Sequence, residues 1–189
     1  MKFARRAELK IVILITFLLT GVLHVAPHFA SAGSVTWQPV RPVPTVDLGR
    51  YVGAWYEIAR YPNFFQKGCR DSTAHYTLRP DGEMSILNRC LKGDAGEASE
   101  AKGRAWVATP PDTARLKVMF FWPFRGDYWI IELGDNYEYA VVGTPDRKYL
   151  WILSRTPTLS DTTYADILQK LGQQGFDPAK LLKTNRKLP

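Results

Sequence analysis

Between residues 53 and 155 the chain interrupts itself about every ten residues, and this rhythm constrains the fold more than any single motif. Alternating runs at 53–61, 70–78, 83–90, 99–109, 114–121, 128–133, 137–143 and 148–155 are separated by turn formers. The turns are Arg79-Pro80-Asp81-Gly82, a polar stretch over 91–98 with two glycines, Pro110-Pro111-Asp112, a loop around Pro123 and Gly126, Gly134-Asp135-Asn136, and Thr144-Pro145-Asp146. Proline presets the backbone at such corners, glycine admits positive φ, and Asp or Asn hydrogen-bonds its own main chain. Eight such strands predict an all-β antiparallel meander. None is blunted as a free sheet edge would be, which predicts an eight-stranded up-and-down barrel.

The first run, Gly53 to Tyr61, is bounded by Gly53 and Pro62. Along a strand Trp55, Glu57, Ala59 and Tyr61 share one face, and Tyr56, Ile58 and Arg60 the other. A face mixing very large with very small side chains suits a tapering barrel interior, with Trp55 plugging the narrow end. The other reading is an ordinary core strand with a structural Trp.

The period changes only after the eighth strand. Ser160 reads as an N-cap, and Tyr164, Ile167, Leu168 and Leu171 recur at helical spacing before Gly172 or Gly175. The one large surface on which this stripe can be buried is the outside of the barrel. Asp47 heads a helical turn leading into the first strand, and a short ninth strand is expected around 181–183.

Residues 1–32 read as a signal peptide. Lys2, Arg5, Arg6 and Lys10 precede an apolar run from 11 to 25, shorter than the roughly 20 residues of a membrane span, and Ala30-Ser31-Ala32 is a small-x-small cleavage site. The alternative is an uncleaved anchor. Residues 33–46, with Pro39, Pro42 and Pro44, form an extended N-terminal arm, and 47–189 form one domain. Removing four basic residues and Glu8 with the leader leaves 21 basic and 17 acidic residues, a net charge of +4. That mild charge, without a basic cluster interleaved with aromatics, argues against nucleic acid as a partner.

Gly53-Ala54-Trp55-Tyr56, the turn Gly134-Asp135-Asn136-Tyr137 and Arg155 at the end of the eighth strand resemble the three motifs of the lipocalin family. The runs Trp55-Tyr56-Glu57-Ile58-Ala59-Arg60 and Tyr149-Leu150-Trp151-Ile152-Leu153-Ser154-Arg155-Thr156-Pro157 resemble its bacterial and apolipoprotein D branch, and the similarity spans residues 47–185. Two departures stand: the second motif is approximate, and no Cys lies near the cleavage point for lipoprotein acylation. The resemblance implies a calyx for a small apolar ligand in an exported protein, periplasmic in a bacterium and not lipid-anchored. It places Arg155 over Trp55 at the closed end, as a structural cation–π plug.

With the strand phases taken from those motifs, the inward residues are Glu57, Ala59 and Tyr61; Ala74 and Tyr76; Ile86 and Asn88; Ala101 and Ala105; Leu116, Val118 and Phe120; Tyr128 and Ile130; Ala140 and Val142; Tyr149, Trp151 and Leu153. Many alanines among a few aromatics imply apolar space, which points to binding or transport of a fatty acid or lysophospholipid without a cofactor. Glu57 and Asn88 are the polar exceptions: each could orient a head group, or Glu57 could hydrogen-bond a buried tyrosine or water. Phe64, Phe65, Phe121, Trp122 and Phe124 fall in loops at the mouth, as an apolar entrance touching membrane or as a lid.

Catalysis is the weaker expectation. The one His after the leader, His75, neighbours inward Ala74 and faces out, so no Ser-His-Asp or His-based metal site lies inside. A cofactor-independent isomerase using Glu57 is the alternative. Outward charges at Arg60, Arg104 and Lys117 argue against a transmembrane barrel. Cys69 and Cys90 allow one intramolecular disulfide, at the mouth end of one hairpin, with the alternative of two free thiols. If Ala74 opposes Ile86, Cys69 falls one residue out of register, and a bulge or bend where loop becomes strand would bring the two together.

Overall fold

The computed structural model describes residues 38–93 and 95–184. The leader and the start of the arm lie outside these residues. Within them run α1 (Leu48–Tyr51), β1 (Gly53–Arg60), β2 (Cys69–Leu78), β3 (Met84–Lys92), β4 (Glu97–Val107), β5 (Arg115–Phe121), β6 (Phe124–Leu133), β7 (Tyr139–Gly143), β8 (Leu150–Ser154), α2 (Asp161–Gln173), a 3-10 turn (Pro178–Lys180) and β9 (Leu182–Lys183). Each of β1 to β7 pairs antiparallel with the next, and β1 pairs with both β2 and β8, closing the eight-stranded barrel.

Two apolar clusters lie on the two faces of this sheet. The inner one includes Trp55, Tyr76, Met84, Ile86, Ala105, Leu116, Ile130, Ala140, Val142 and Leu153. The outer one joins Ile131, Val141, Leu150 and Ile152 to Ile167 and Leu171 of α2 and to Phe176. The helix is built as its sequence dictates: Ser160 Oγ accepts from the Thr163 N–H, and Ile167 and Leu171 are fully buried. Burying two such side chains contributes about 1.5–3 kcal/mol each. The helix ends at Gln173, one residue past Gly172, and Gly175 takes the positive φ that follows.

The barrel floor is held by Arg155. Its guanidinium carbon lies 3.8 Å from the centre of the Trp55 ring, and the ring is wholly buried. The guanidinium donates to the carbonyls of Ala54 (2.9 Å), Arg50 (2.7 Å), Tyr51 (3.1 Å) and Tyr137 (3.3 Å). One side chain thereby ties α1, β1 and the β6–β7 turn. Trp55 Nε1 donates to the Tyr51 carbonyl at 2.8 Å. A Cβ at Gly53, where φ is +98°, would stand 3.3 Å from the Arg155 guanidinium, so glycine is required by backbone and neighbour alike.

Several expected details are corrected. Glu57 opposes Leu153, but Ala59 opposes Ile152, so β1 holds one extra residue between them. Alternation reverses there. Ala59 and Tyr61 therefore lie in the outer cluster with Phe176, not in the interior, and Arg60 turns inward to pair with Glu57. Ala74 opposes Asn88 rather than Ile86. The expected loops at 91–98 and 121–127 shrink to tight turns, because β3 and β4 pair as far as Lys92–Glu97 and β5 and β6 as far as Phe121–Phe124.

The disulfide Cys69–Cys90 is present, with the Cα atoms 5.5 Å apart. A bulge lies in β2 beside it: Arg70 opposes Leu91 and Thr73 opposes Arg89, leaving Asp71 and Ser72 together opposite Cys90. Asp71 adopts φ +52° within it.

Replacing Arg155 by Ala removes the cation–π contact and the hydrogen bonds to four carbonyls. Chemical denaturation should show a loss of about 2–4 kcal/mol. Arg155→Lys should recover less than half of it, because an ammonium cannot span the same carbonyls.

Candidate ligand-binding chamber

Strand direction divides the barrel interior into two halves. Odd-numbered strands rise from the floor and even-numbered strands return to it. Near the floor Trp55, Met84, Ala105, Leu116, Ile130 and Ala140 are 0–1% exposed, so the lower interior is solid. Nearer the mouth the inward side chains Asn88, Ala101, Val118, Phe120, Tyr128, Tyr149 and Trp151 are only half-buried. Solvent therefore reaches these side chains, which makes the upper interior the candidate chamber. Ala74, Ile86, Ala105, Val118, Phe120, Tyr128, Ile130, Val142 and Trp151, all expected inside, belong to the inner cluster or pack on it. Tyr149 stacks on Trp151, with centroids 5.9 Å apart.

Small residues make the room. On the β2–β3–β4 wall Ala74, Asn88 and Ala101 form one cross-strand row, and Tyr76, Ile86 and Gly103 form the row below. A Cβ at Gly103 would stand 2.7 Å from the Phe120 ring, so the glycine is the slot into which that ring fits.

The β1–β8 wall is polar. Arg60 donates to Glu57 at 2.7 Å, with both side chains buried. Gln66 Nε2 donates to the other Glu57 oxygen at 2.7 Å, and Thr184 Oγ1 donates to the first at 2.8 Å. Gln66 Oε1 accepts from Trp151 Nε1 at 2.8 Å and from Asn63 at 2.9 Å, and Arg60 donates to the Gln66 and Cys69 carbonyls. Glu57 thus has local partners, though they are Arg60, Gln66 and Thr184 rather than a tyrosine or water. The same network pins the β1–β2 loop over the wall, with Phe65 stacked on Trp151 at 6.2 Å and against Tyr149 at 5.6 Å.

Above the floor three tyrosines meet. Tyr128 Oη lies 2.8 Å from Tyr51 Oη and 2.9 Å from Tyr76 Oη. Burial pushes all three phenols up, Tyr76 to about 12. For Tyr128 both neighbouring phenols raise the pKa further, since ionising one disfavours ionising the next; for Tyr51 the Tyr76 phenol raises it and the hydrogen bond with Tyr128 opposes the rise.

Reading the sequence missed Tyr51, Met84, Gly103, Arg60 and Gln66. Met84 was reachable, since it continues the 86, 88 alternation. Gln66 and Tyr51 come from outside the strands, where alternation carries no information. Among the described residues no group of three or more His, Cys, Asp or Glu is placed to hold a metal.

A closed antiparallel eight-stranded barrel with a solid floor, a half-buried upper lining and one external helix defines the class of up-and-down β-barrels. The comparisons identify which. A family model described as a lipocalin-like domain matches residues 46–186. The chain is 44% identical over 140 residues to "Outer membrane lipoprotein Blc" of Escherichia coli, covering 74% of this chain and 79% of that protein. It is 40% identical to "Temperature-induced lipocalin-1" of Arabidopsis thaliana (75% and 80% covered) and 30% identical to "Apolipoprotein D" of Macaca fascicularis (82% and 83% covered). Insecticyanin from Manduca sexta shares the fold, with a TM-score of 0.64, 23% identity, and 80% and 87% of the two chains covered. The chain belongs to the lipocalin family, generally binding and transport proteins that hold small hydrophobic ligands in a barrel.

The phenol cluster predicts a pH dependence. Unfolded tyrosines ionise near their ordinary value of 10.0, whereas the folded ones resist. The stabilisation these raised values confer is complete below pH 10 and is lost as pH rises through the folded values, Tyr76's at about 12. Thermal melts from pH 8 to 12 should show a fall beginning near 10, shallower in Tyr76→Phe. Absorbance of tyrosinate should show that at least three of the nine tyrosines ionise only with unfolding.

Proposed function

We propose that the protein binds and carries a single-chain lipid, a fatty acid or a lysophospholipid, with the acyl chain in the upper chamber and the head group at the mouth. The observation that carries this reading is the half-buried apolar lining above a solid floor. A narrow chamber of Ala, Val and aromatic side chains matches a polymethylene chain, and burying such a chain contributes about 0.8 kcal/mol per CH2 group. The polar β1–β8 wall supports binding over isomerase chemistry. Both Glu57 oxygens are engaged by Arg60, Gln66 and Thr184, which leaves neither poised to abstract a proton.

The leader reading and the kinship with a protein named as an outer membrane lipoprotein support export, to the periplasm if the source is bacterial. Both cysteines of the chain are joined in the disulfide, which leaves no thiol for lipid attachment and supports an unanchored protein.

The mouth favours contact with a lipid surface. Phe65 folds down as a lid, whereas Phe64, Phe121, Trp122 and Phe124 remain 74–83% exposed. Trp122 lies in the tight β5–β6 turn, with Phe121 and Phe124 on either side of it. Such a tip can enter the interfacial region of a bilayer, where aromatic side chains are at home.

Saturating fatty acid or lysophospholipid should change Trp emission and raise the melting temperature, because a ligand at a hundred times its Kd stabilises the native state by about 2.7 kcal/mol. Trp151→Ala should weaken acyl binding about tenfold. Emission and melting both unmoved would end the lipid reading. Changing Phe64, Phe121, Trp122 and Phe124 to Ser should slow fatty-acid uptake from vesicles several-fold while altering equilibrium affinity less. Equal uptake rates would remove the membrane contact.

A further inference from the structure

The chamber wall carries hydrogen-bonding capacity that the protein itself does not use. Asn88 lies in the inward row between Ala74 and Ala101, and its Oδ1 is buried without a partner. Whichever way the amide is oriented, one of its buried polar atoms is unpaired. Leaving such an atom unmet is costly, and most buried polar atoms have partners. Its cross-strand neighbours Ala74 and Ala101 are both small.

A proton count gives the second observation. Tyr51, Tyr128 and Tyr76 hold three hydroxyl protons, and burial keeps all three phenols protonated at neutral pH. The chain of two contacts uses two protons. One donor is therefore always left over. When an acceptor arrives at Tyr76, the chain orders as Tyr51 to Tyr128 to Tyr76 to acceptor, each bond polarising the next. Tyr76 opposes Ile86, one row below Asn88 on the same wall, so it is the diagonal neighbour of the amide.

We propose that Asn88 and the tyrosine chain form a polar subsite inside the chamber that recognises an uncharged hydroxyl or keto group on the chain of the bound lipid. This rests on the lipid-binding reading above and specifies its substrate class. An ionised group does not suit the subsite. The Arg60 charge is spent on Glu57, and Arg155 is bound to the underside of the floor at Trp55. A carboxylate buried here would lack a countercharge, which costs far more than one or two hydrogen bonds return. The carboxylate or phosphate stays at the mouth, and the subsite reads an oxygen carried further down the chain.

The test measures Kd for stearic acid and for monohydroxystearic acids with the hydroxyl at successive positions, in the parent, Asn88→Leu and Tyr76→Phe. The expected result is one favoured position, about three- to tenfold tighter than stearic acid in the parent. Asn88→Leu should abolish that preference, so that the hydroxystearic acids bind no tighter than stearic acid, and Tyr76→Phe should reduce it. Asn88→Leu should melt no lower than the parent, because it removes an unpaired buried atom; Asn88→Ala serves if leucine does not fit. Stearic acid bound with no favoured hydroxyl position, or a preference surviving both variants, overturns the subsite and leaves lipid binding standing. No binding of any of these acids overturns both.

Discussion

The structure depends on one strand serving three partners. β1 pairs with β8 along one edge, and along the other with β2 at residues 53–56 and with β9 at residues 59–60. A barrel of eight strands has to close there, and β2 bends away before β1 ends. The short β9, with the Thr184 N–H donating to the Ile58 carbonyl, satisfies backbone that would otherwise be bare. The extra residue in β1 follows from the same constraint, because it lets the lower and upper halves meet different neighbours with different faces inward. The Glu57–Arg60 pair, the pinned β1–β2 loop and the contact of Thr184 with Glu57 all issue from this seam.

The floor and the chamber are opposite solutions to filling one interior. Below, Trp55 is sandwiched between Arg155 and the inner cluster, and the space is full. Above, Ala74 and Ala101 are small, and Asn88, Ala101, Val118, Phe120 and Trp151 remain only half-buried. Packing this upper half would add burial at about 25 cal/mol per Å². The chain forgoes that gain, as a protein does when the space has an occupant. The buried ion pair adds little by itself, since desolvation offsets the attraction. Its consequence is geometric: it holds Gln66, and through it Trp151 and Phe65, at the edge of the chamber.

Much of this was legible because it is local. Asp47 and Ser160 announce their helices by side-chain chemistry, and both cap as expected. Trp55 and Arg155 meet because the direction of a meander brings the start of its first strand and the end of its last to one end. Strand phases at 74–76, 86–88, 116–118, 128–130 and 149–153 held because the pleat runs unbroken through them. Ala59, Tyr61 and Arg60 failed for one reason: a bulge is decided by pairing with β8 and β9, and no residue at 58 or 59 signals it. The register of β2 on β3 failed because it is set at the hairpin turn, where Leu78 opposes Met84 and five residues connect the strands. Gly103 shows nothing until Phe120 is placed against it, and the polar role of Asn88 depends on the absence of a partner, which only three dimensions reveal.

The central claim is that one face of these strands lines a ligand chamber while the other packs under a helix. Methyl-resolved NMR during titration with a saturated fatty acid tests it most directly. Shifts should concentrate on Ala74, Ala101, Val118 and Val142, which face inward, and spare Ile131, Val141, Ile152 and Ile167, which lie in the outer cluster. Shifts confined to the outer set would place the ligand under α2 and contradict the account.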